Sequence, residues 1–273
     1  MTDYSVDDLI YLMQRLRDPE SGCPWDLKQD FASIVPHTLE EAYEVADTIE
    51  RQDWAHLKDE LGDLLFQVIF YAQLGDEIED QAQQFDFNAI VSNLIEKLVR
   101  RHPHVFPAGT LRSERSGDSI DEAQIKANWE AIKQQERDGK ARSGVLDDVP
   151  RALPALSRAH KLQKRAGQVG FDWDDPELVL DKIAEEVDEL RAAIRDGRQA
   201  EIQDEMGDIL FAQVNLARHL NVNPEVALRG TNQKFERRFG HVEKCVQESG
   251  RDWDMFSLDE LDAFWDEAKT KGL

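Results

Sequence analysis

The sequence predicts an all-α protein built from two tandem copies of one helical module. Strand signals are nearly absent, since the chain has no alternating β-branched run and no hairpin turn. Apolar residues instead recur at helical spacing after capping residues, as in the stretch that follows Ser5-Val6-Asp7-Asp8. A pair of acidic motifs also occurs twice, at one constant spacing. The duplication divides the 273 residues into two domains.

The repeated motifs have the form E-E-x-x-E followed by E-x-G-D. The first copy reads Glu40-Glu41-Ala42-Tyr43-Glu44 and then Glu60-Leu61-Gly62-Asp63. The second reads Glu185-Glu186-Val187-Asp188-Glu189 and then Glu205-Met206-Gly207-Asp208. Each acid of the first set recurs 145 residues later: Glu41, Glu44, Glu60 and Asp63 correspond to Glu186, Glu189, Glu205 and Asp208.

The predicted helices follow one another in the same order in both copies. After a first helix that ends at 18–22, we predict helices over 38–51, 54–74 and about 86–101. Leu64 to Ala72 is apolar nearly all round, so the helix over 54–74 is expected to be buried. A capping box at Ser119–Glu122 opens a helix with Trp129 and Lys133, as Ser257–Glu260 opens one with Trp265 and Lys269.

The domain bounds follow from these elements. We predict an N-terminal helical domain over 1–135, a linker over 136–150 and a C-terminal helical domain over 151–273. The second domain begins with a helix over 151–167. Asp175-Pro176 then starts the first acidic helix, and Gly197 ends it.

The acids of each copy are predicted to form a metal site. Within each motif the two acids are three residues apart, so they share one face of a helix. Two antiparallel helices joined at 195–198 bring Glu186, Glu189, Glu205 and Asp208 together. Four carboxylates in one space repel unless a cation joins them, and hard oxygen ligands suit Mg²⁺, with Mn²⁺ as a substitute. In the first such helix, an apolar stripe through Leu39 and Ile49 points away from the acids, which suggests cover by a second subunit.

A basic segment also recurs, at an offset of 137. Lys97, Arg100, Arg101 and His104 correspond to Lys234, Arg237, Arg238 and His241. One interpretation is a wall that holds phosphate beside the carboxylates. The other is a set of bases that complement a helix C-terminus.

Composition limits the partners. The formal net charge of −23 argues against direct binding to nucleic acid or to an anionic membrane. The two cysteines show no pairing pattern, as expected in a reducing cytosol. The sequence contains neither a secretory signal nor an apolar stretch long enough for a membrane span, and we therefore predict a cytoplasmic protein.

The duplicated motifs resemble the MazG family of nucleoside triphosphate pyrophosphohydrolases. Supporting stretches extend over nearly the whole chain: Gly22–Asp26, Glu60–Phe66, Arg100–Phe106, Gly170–Trp173 and Lys234–Phe239. The resemblance implies the all-α NTP pyrophosphatase fold, a homodimer, Mg²⁺, and hydrolysis of NTP or dNTP to the monophosphate and pyrophosphate.

The resemblance also implies roles for individual residues. It makes Glu186, Glu189, Glu205 and Asp208 the metal ligands, and the matching acids of the first copy a weaker or inactive cluster. Nucleotide contacts are implied at Lys182, Glu185, Lys234, Arg237, Arg238 and Trp265. The family places activity in the C-terminal copy. Lys182 agrees with this, because His37 stands at the matching position and histidine is mostly neutral at pH 7.

Three questions stay open at this stage. Glu185, out of phase with the metal ligands, is either a general base or a surface acid. A ferritin-like di-iron bundle is disfavoured, because the chain has no Glu-x-x-His pair. The remaining alternative is a non-catalytic all-α regulatory or interaction protein with an inactive carboxylate cluster.

Overall fold

A computed structural model describes residues 3–114, 121–138 and 144–273, and within those ranges it contains helices and no strand. The chain divides into two compact units, Met1–Lys140 and Ala141–Leu273. Unit 1 contains α1 (Val6–Leu16), α2 (Phe31–Glu50), α3 (Trp54–Asp76), α4 (Phe87–Arg101) and α5 (Glu122–Asp138). Unit 2 contains α6 (Ala155–Gln168), α7 (Pro176–Asp196), α8 (Gln199–His219), α9 (Pro224–Ser249) and α10 (Leu258–Thr270). The predicted all-α class and the tandem arrangement are confirmed.

Unit 1 is organised around the helical hairpin of α2 and α3. The hydrophobic core lies between this hairpin and α1, where Met13, Ile34, Ile69, Phe70 and Leu74 are all buried. α2 begins at Phe31, seven residues before the predicted start at 38. The Asp30 carboxylate accepts a hydrogen bond from the Ser33 amide, and the Ser33 hydroxyl oxygen accepts one from the Asp30 amide. This reciprocal cap stabilises the earlier first turn.

The inward face of α2 is the acidic one. Half-buried Glu41 lies on the same side as Val45 and as Thr48, which is 1% exposed. The predicted apolar stripe lies instead on the surface of the chain, with Leu39 47% and Ile49 48% exposed. Helical spacing located both faces correctly, and the acidic face is the one that turns inward.

α3 is buried on one side only, contrary to the prediction that it is covered all round. Ile69 and Phe70 are each 1% exposed. Leu61, Leu65 and Val68, at spacings of four and three residues, are 50%, 38% and 37% exposed. Among the described residues, that face of α3 is therefore left open to solvent.

Unit 2 repeats the hairpin with α7 and α8. Val179, fully buried, takes the place of Ile34, and buried Ala193 takes that of Thr48. Gly197 ends α7 with φ of 66°, and Gln52 at the matching position after α2 has φ of 57°. A residue in the left-handed backbone conformation therefore occupies the same position of the turn in both hairpins.

Two predicted bounds in the middle of the chain are wrong. α6 begins at Ala155, not 151, because Pro154 disfavours a helical conformation at the residue before it. α5 continues to Asp138, so the predicted linker over 136–150 starts inside a helix. Ser119, the predicted cap of α5, and positions 139–143 lie outside the described residues.

The shift of the repeat from 145 to 137 has a structural cause. The connection between α3 and α4 covers 77–86, whereas that between α8 and α9 covers only 220–223. The second connection is thus six residues shorter, and α8, with 21 residues against 23 in α3, accounts for the other two. Among the helices described, none has the length and apolar character needed to cross a bilayer.

Candidate functional site

In unit 2 the α7–α8 hairpin gathers three of the four predicted metal ligands. Glu186, Glu205 and Asp208 each offer a carboxylate oxygen, and these oxygens lie within 4.8 Å of one another. Glu186 is 6% exposed, Glu205 is half-buried and Asp208 is exposed. The cluster is therefore buried at Glu186 and open to solvent at Asp208.

Helical periodicity explains why these side chains point inward. Glu186 shares a face of α7 with half-buried Leu190 and buried Ala193. Glu205 shares a face of α8 with buried Ile209 and Ala212. The carboxylates thus continue the apolar seam between the two helices.

The side of the cluster at Gly207 and Asp208 is open to solvent. A Cβ atom added at Gly207 would find no other atom within 4 Å. Gly207 and Asp208 lie in an open concavity on α8 together with Gln203 and Asp204. A ligand can therefore approach Asp208 from solvent.

The fourth predicted ligand, Glu189, is exposed and lies outside this close group. Its negative charge nevertheless affects the pKa of Glu205 in the cluster. Burial raises the pKa of Glu205, and the negative charges of Glu189, Glu186 and Asp208 raise it further. Glu205 therefore lies in the negative field of the other three acids, and a cation among them would relieve this repulsion.

A lysine ammonium group closes the buried side of the cluster. Lys182 Nζ lies 2.8 Å from Glu186 Oε1 and 3.0 Å from Glu185 Oε1. These hydrogen bonds to Glu186 and Glu185 raise the pKa of Lys182. Lys182 is thus charged and placed beside the predicted ligands, while Glu185 is exposed.

The first copy forms a similar carboxylate cluster from Glu41, Glu60 and Asp63, again with oxygens within 4.8 Å of one another. Burial is the largest cause of the raised pKa of Glu41, and the negative charges of Asp63 and Glu44 raise it further. Burial and the Glu44 charge raise the pKa of Glu60 in the same way. The residue that matches Lys182 is His37, which lies 3.8 Å from Glu40.

The basic segments of the two copies differ sharply. In unit 1, Glu136 on α5 binds Arg100 at 2.6 Å and Arg101 at 2.5 Å. These contacts lower the pKa of Glu136 to about 2, with the Arg101 hydrogen bond as the largest cause. One carboxylate of the same unit therefore engages both arginines of the predicted phosphate wall in the first copy.

In unit 2 the matching segment is largely free. Lys234 and Arg237 are exposed, and the described part of the chain offers neither of them an ion-pair partner. Arg238 donates to the backbone oxygen of Leu273 at 2.8 Å and lies over the Trp265 ring. Trp265 in turn packs against Phe235, with ring centroids 5.2 Å apart.

The structure brings the predicted residues together in two groups. One contains Lys182, Glu185 and the carboxylates on α7 and α8; the other lies on α9 and α10 and contains Arg238 and Trp265. Across the described residues, no ion pair links the two groups. Sequence reasoning missed Glu136, because the repeat that identified the other residues has Gly272 at the matching position.

Comparisons with known proteins agree with this geometry. The family model for the MazG nucleotide pyrophosphohydrolase domain matches residues 29–106 and 174–243, which include both hairpins. A nucleoside triphosphate pyrophosphohydrolase of Escherichia coli strain K12 is 50% identical over 270 residues, covering 97% of each chain. The nucleoside triphosphate pyrophosphohydrolase/pyrophosphatase MazG of Thermotoga maritima is 42% identical, covering 96% of this chain and 95% of its own. The chain therefore belongs to the MazG nucleotide pyrophosphohydrolase family, with one family domain in each unit.

Proposed function

We propose that this protein hydrolyses nucleoside triphosphates and deoxynucleoside triphosphates to the monophosphate and pyrophosphate, with Mg²⁺, at the α7–α8 hairpin. The observation that carries the proposal is the convergence of Glu186, Glu205 and Asp208 beside Lys182. The two relatives named above support the reaction class, since their names state nucleoside triphosphate pyrophosphohydrolysis.

The donor set fits a hard divalent cation. All three close ligand atoms are carboxylate oxygens, and Glu189 adds a fourth carboxylate at the rim. A polyphosphate would otherwise be repelled by a protein of net charge −23. When bound, Mg²⁺ supplies charge neutralisation for the polyphosphate and Lewis-acid activation of water, with Mn²⁺ as a substitute.

The remaining site residues bind and orient the nucleotide. Lys182 carries a positive charge at the edge of the carboxylates, where it pairs with phosphate. Lys234 and Arg237 offer further charges, and Trp265 with Arg238 forms a surface on which a base stacks. Exposed Glu185 takes the proton of the attacking water.

We place activity in the second copy because Lys234 and Arg237 of its basic segment are exposed, whereas both arginines of the first copy are engaged by a carboxylate. Arg100 and Arg101 of the first copy already hold a carboxylate: Arg100 donates two N–H groups to Glu136 Oε1, and Arg101 donates two to Glu136 Oε2. The first copy also has His37 in place of Lys182. Its carboxylate cluster would hold a metal ion without a nucleotide.

We also propose that the protein is a homodimer. Leu61 and Leu65 on α3 are 50% and 38% exposed, and the matching Met206 and Leu210 on α8 are 46% and 47% exposed. The same apolar face is thus uncovered in both units, as expected for a surface that a second copy covers. We further expect the enzyme to act in the cytoplasm and not to bind nucleic acid directly.

A pyrophosphate-release assay across NTPs and dNTPs tests the proposed reaction. Asp208→Asn should abolish turnover, because it removes one of three converging ligand charges. Asp63→Asn, the matched change in the first copy, should leave most of the turnover. Circular dichroism of both variants controls for folding.

Two results would contradict the proposal. Loss of activity in Asp63→Asn with activity retained in Asp208→Asn would place catalysis in the first copy. Tight Mg²⁺ binding by calorimetry, without pyrophosphate release from any nucleotide, would favour the alternative of a non-catalytic metal-binding protein.

A further inference from the structure

A second cluster of metal-ligating atoms lies in unit 2, at the contact between α9 and α10. Cys245 Sγ is 3.5 Å from His241 Nε2, and Glu267 Oε2 is 3.6 Å from the same nitrogen. The three atoms lie within 4.8 Å of one another. They converge on one point between the two helices.

Local sequence explains why this cluster forms only in unit 2. His241 and Cys245 are four residues apart on α9, so they share a face. α9 reaches them because Gly240 continues the helix, whereas Pro103 stands at the matching position in unit 1 and α4 ends at Arg101. Rigid helices hold all three residues, with Val242, Val246 and Ala268 buried beside them.

The arrangement does not suit nucleophilic catalysis. In a Cys-His-acid relay the thiol contacts one ring nitrogen and the carboxylate contacts the other. Here Cys245 and Glu267 both face Nε2 of His241. Donor atoms that share one focus are instead the arrangement that a bound cation requires.

The carboxylate of Glu267 is available for such a role. Its Oε1 atom binds Lys271 Nζ at 2.6 Å, which leaves Oε2 to face His241. The ammonium group of Lys271 thereby fixes the orientation of the carboxylate, as hydrogen-bonded neighbours of metal ligands do. The side chain of His241 is only 11% exposed, so its position is also restricted.

We propose that His241, Cys245 and Glu267 form a zinc site that joins α9 to α10, separate from the carboxylate clusters. One nitrogen, one sulfur and one oxygen donor suit Zn²⁺, whereas the oxygen-only clusters suit Mg²⁺ or Mn²⁺. On binding, the S–H bond of Cys245 breaks, its proton passes to solvent, and a Zn–S bond forms without any change of oxidation state. Water completes the fourth position.

Cobalt titration of the metal-free full-length protein tests the site, since Co²⁺ replaces Zn²⁺ and reports a thiolate ligand through a near-ultraviolet charge-transfer band. We expect the band in the wild type, its loss in Cys245→Ser, and its retention in Cys23→Ser, which removes the other free cysteine. Added Zn²⁺ should abolish the band by displacement. Co²⁺ held only by carboxylates gives no such band.

His241→Gln provides a second test that leaves the thiol in place, and circular dichroism confirms that each variant is folded. We expect Zn²⁺ to raise the melting temperature of the wild type and of Cys23→Ser, but not that of His241→Gln. Absence of the cobalt band in the wild type, or its persistence in Cys245→Ser, would overturn the proposal. Pyrophosphate release does not enter this test, so its outcome is independent of the proposed reaction.

Discussion

Buried charge is the central feature at the scale of single residues. Glu186 is 6% exposed, and a carboxylate in that position is costly unless a cation accompanies it. Lys182 provides that cation from within the same helix. The half-buried Glu41 of the first copy has no such partner, and its pKa is raised accordingly.

Glu136→Gln tests whether an internal carboxylate blocks the first copy. The substitution removes the charge that neutralises Arg100 and Arg101, so these two side chains should become able to bind phosphate. Calorimetric titration with inorganic tripolyphosphate and Mg²⁺ should then show one binding site per chain in the wild type and two in the variant.

Glu130→Gln is the matched control for that experiment. Glu130 lies on the same helix, and its carboxylate lies 3.6 Å from the ammonium group of Lys133. Its replacement should leave the number of tripolyphosphate sites unchanged. An unchanged number in Glu136→Gln would show that neutralisation by Glu136 is not what separates the two copies.

At the scale of elements, the sequence allowed the hairpins to be predicted better than their surroundings. A constant offset of 145 identified both acidic helix pairs, and the matching bounds of α2 with α7 and of α3 with α8 agree. The exposure of Leu39 agrees with the predicted apolar stripe that points away from the acids. Glu136 was missed because Gly272 stands at the matching position of the second copy, so the repeat did not single it out.

The left-handed turn of each hairpin leads to a prediction about stability. Gly197→Ala should lower the free energy of unfolding by about 1 kcal/mol, because a Cβ atom disfavours positive φ. Gln52→Gly at the matching position should raise it by up to about 1 kcal/mol for the same reason. Urea unfolding of the two variants measures both changes.

Gly230→Ala serves as the reference for these variants. Gly230 lies inside α9, where an added Cβ atom would meet open space. Alanine should therefore leave stability unchanged or raise it by about 0.5–1 kcal/mol. A gain in stability from Gly197→Ala would contradict the assigned turn.

For the whole molecule, the uncovered apolar face of α3 and α8 predicts the oligomeric state. Light scattering should give twice the mass of one chain. Leu65→Glu or Leu210→Glu should shift the protein toward the monomer, since each places a charge within the exposed apolar face. Leu220→Glu, which changes an equally exposed leucine outside that face, should not.

The contact between Glu136 and its two arginines has one further consequence. In the first copy, one side chain, Glu136, engages the guanidinium groups of both Arg100 and Arg101. A change of one codon at position 136 would therefore uncover a complete anion-recognition pair. The first copy therefore keeps two arginines that a single substitution would free to bind an anion.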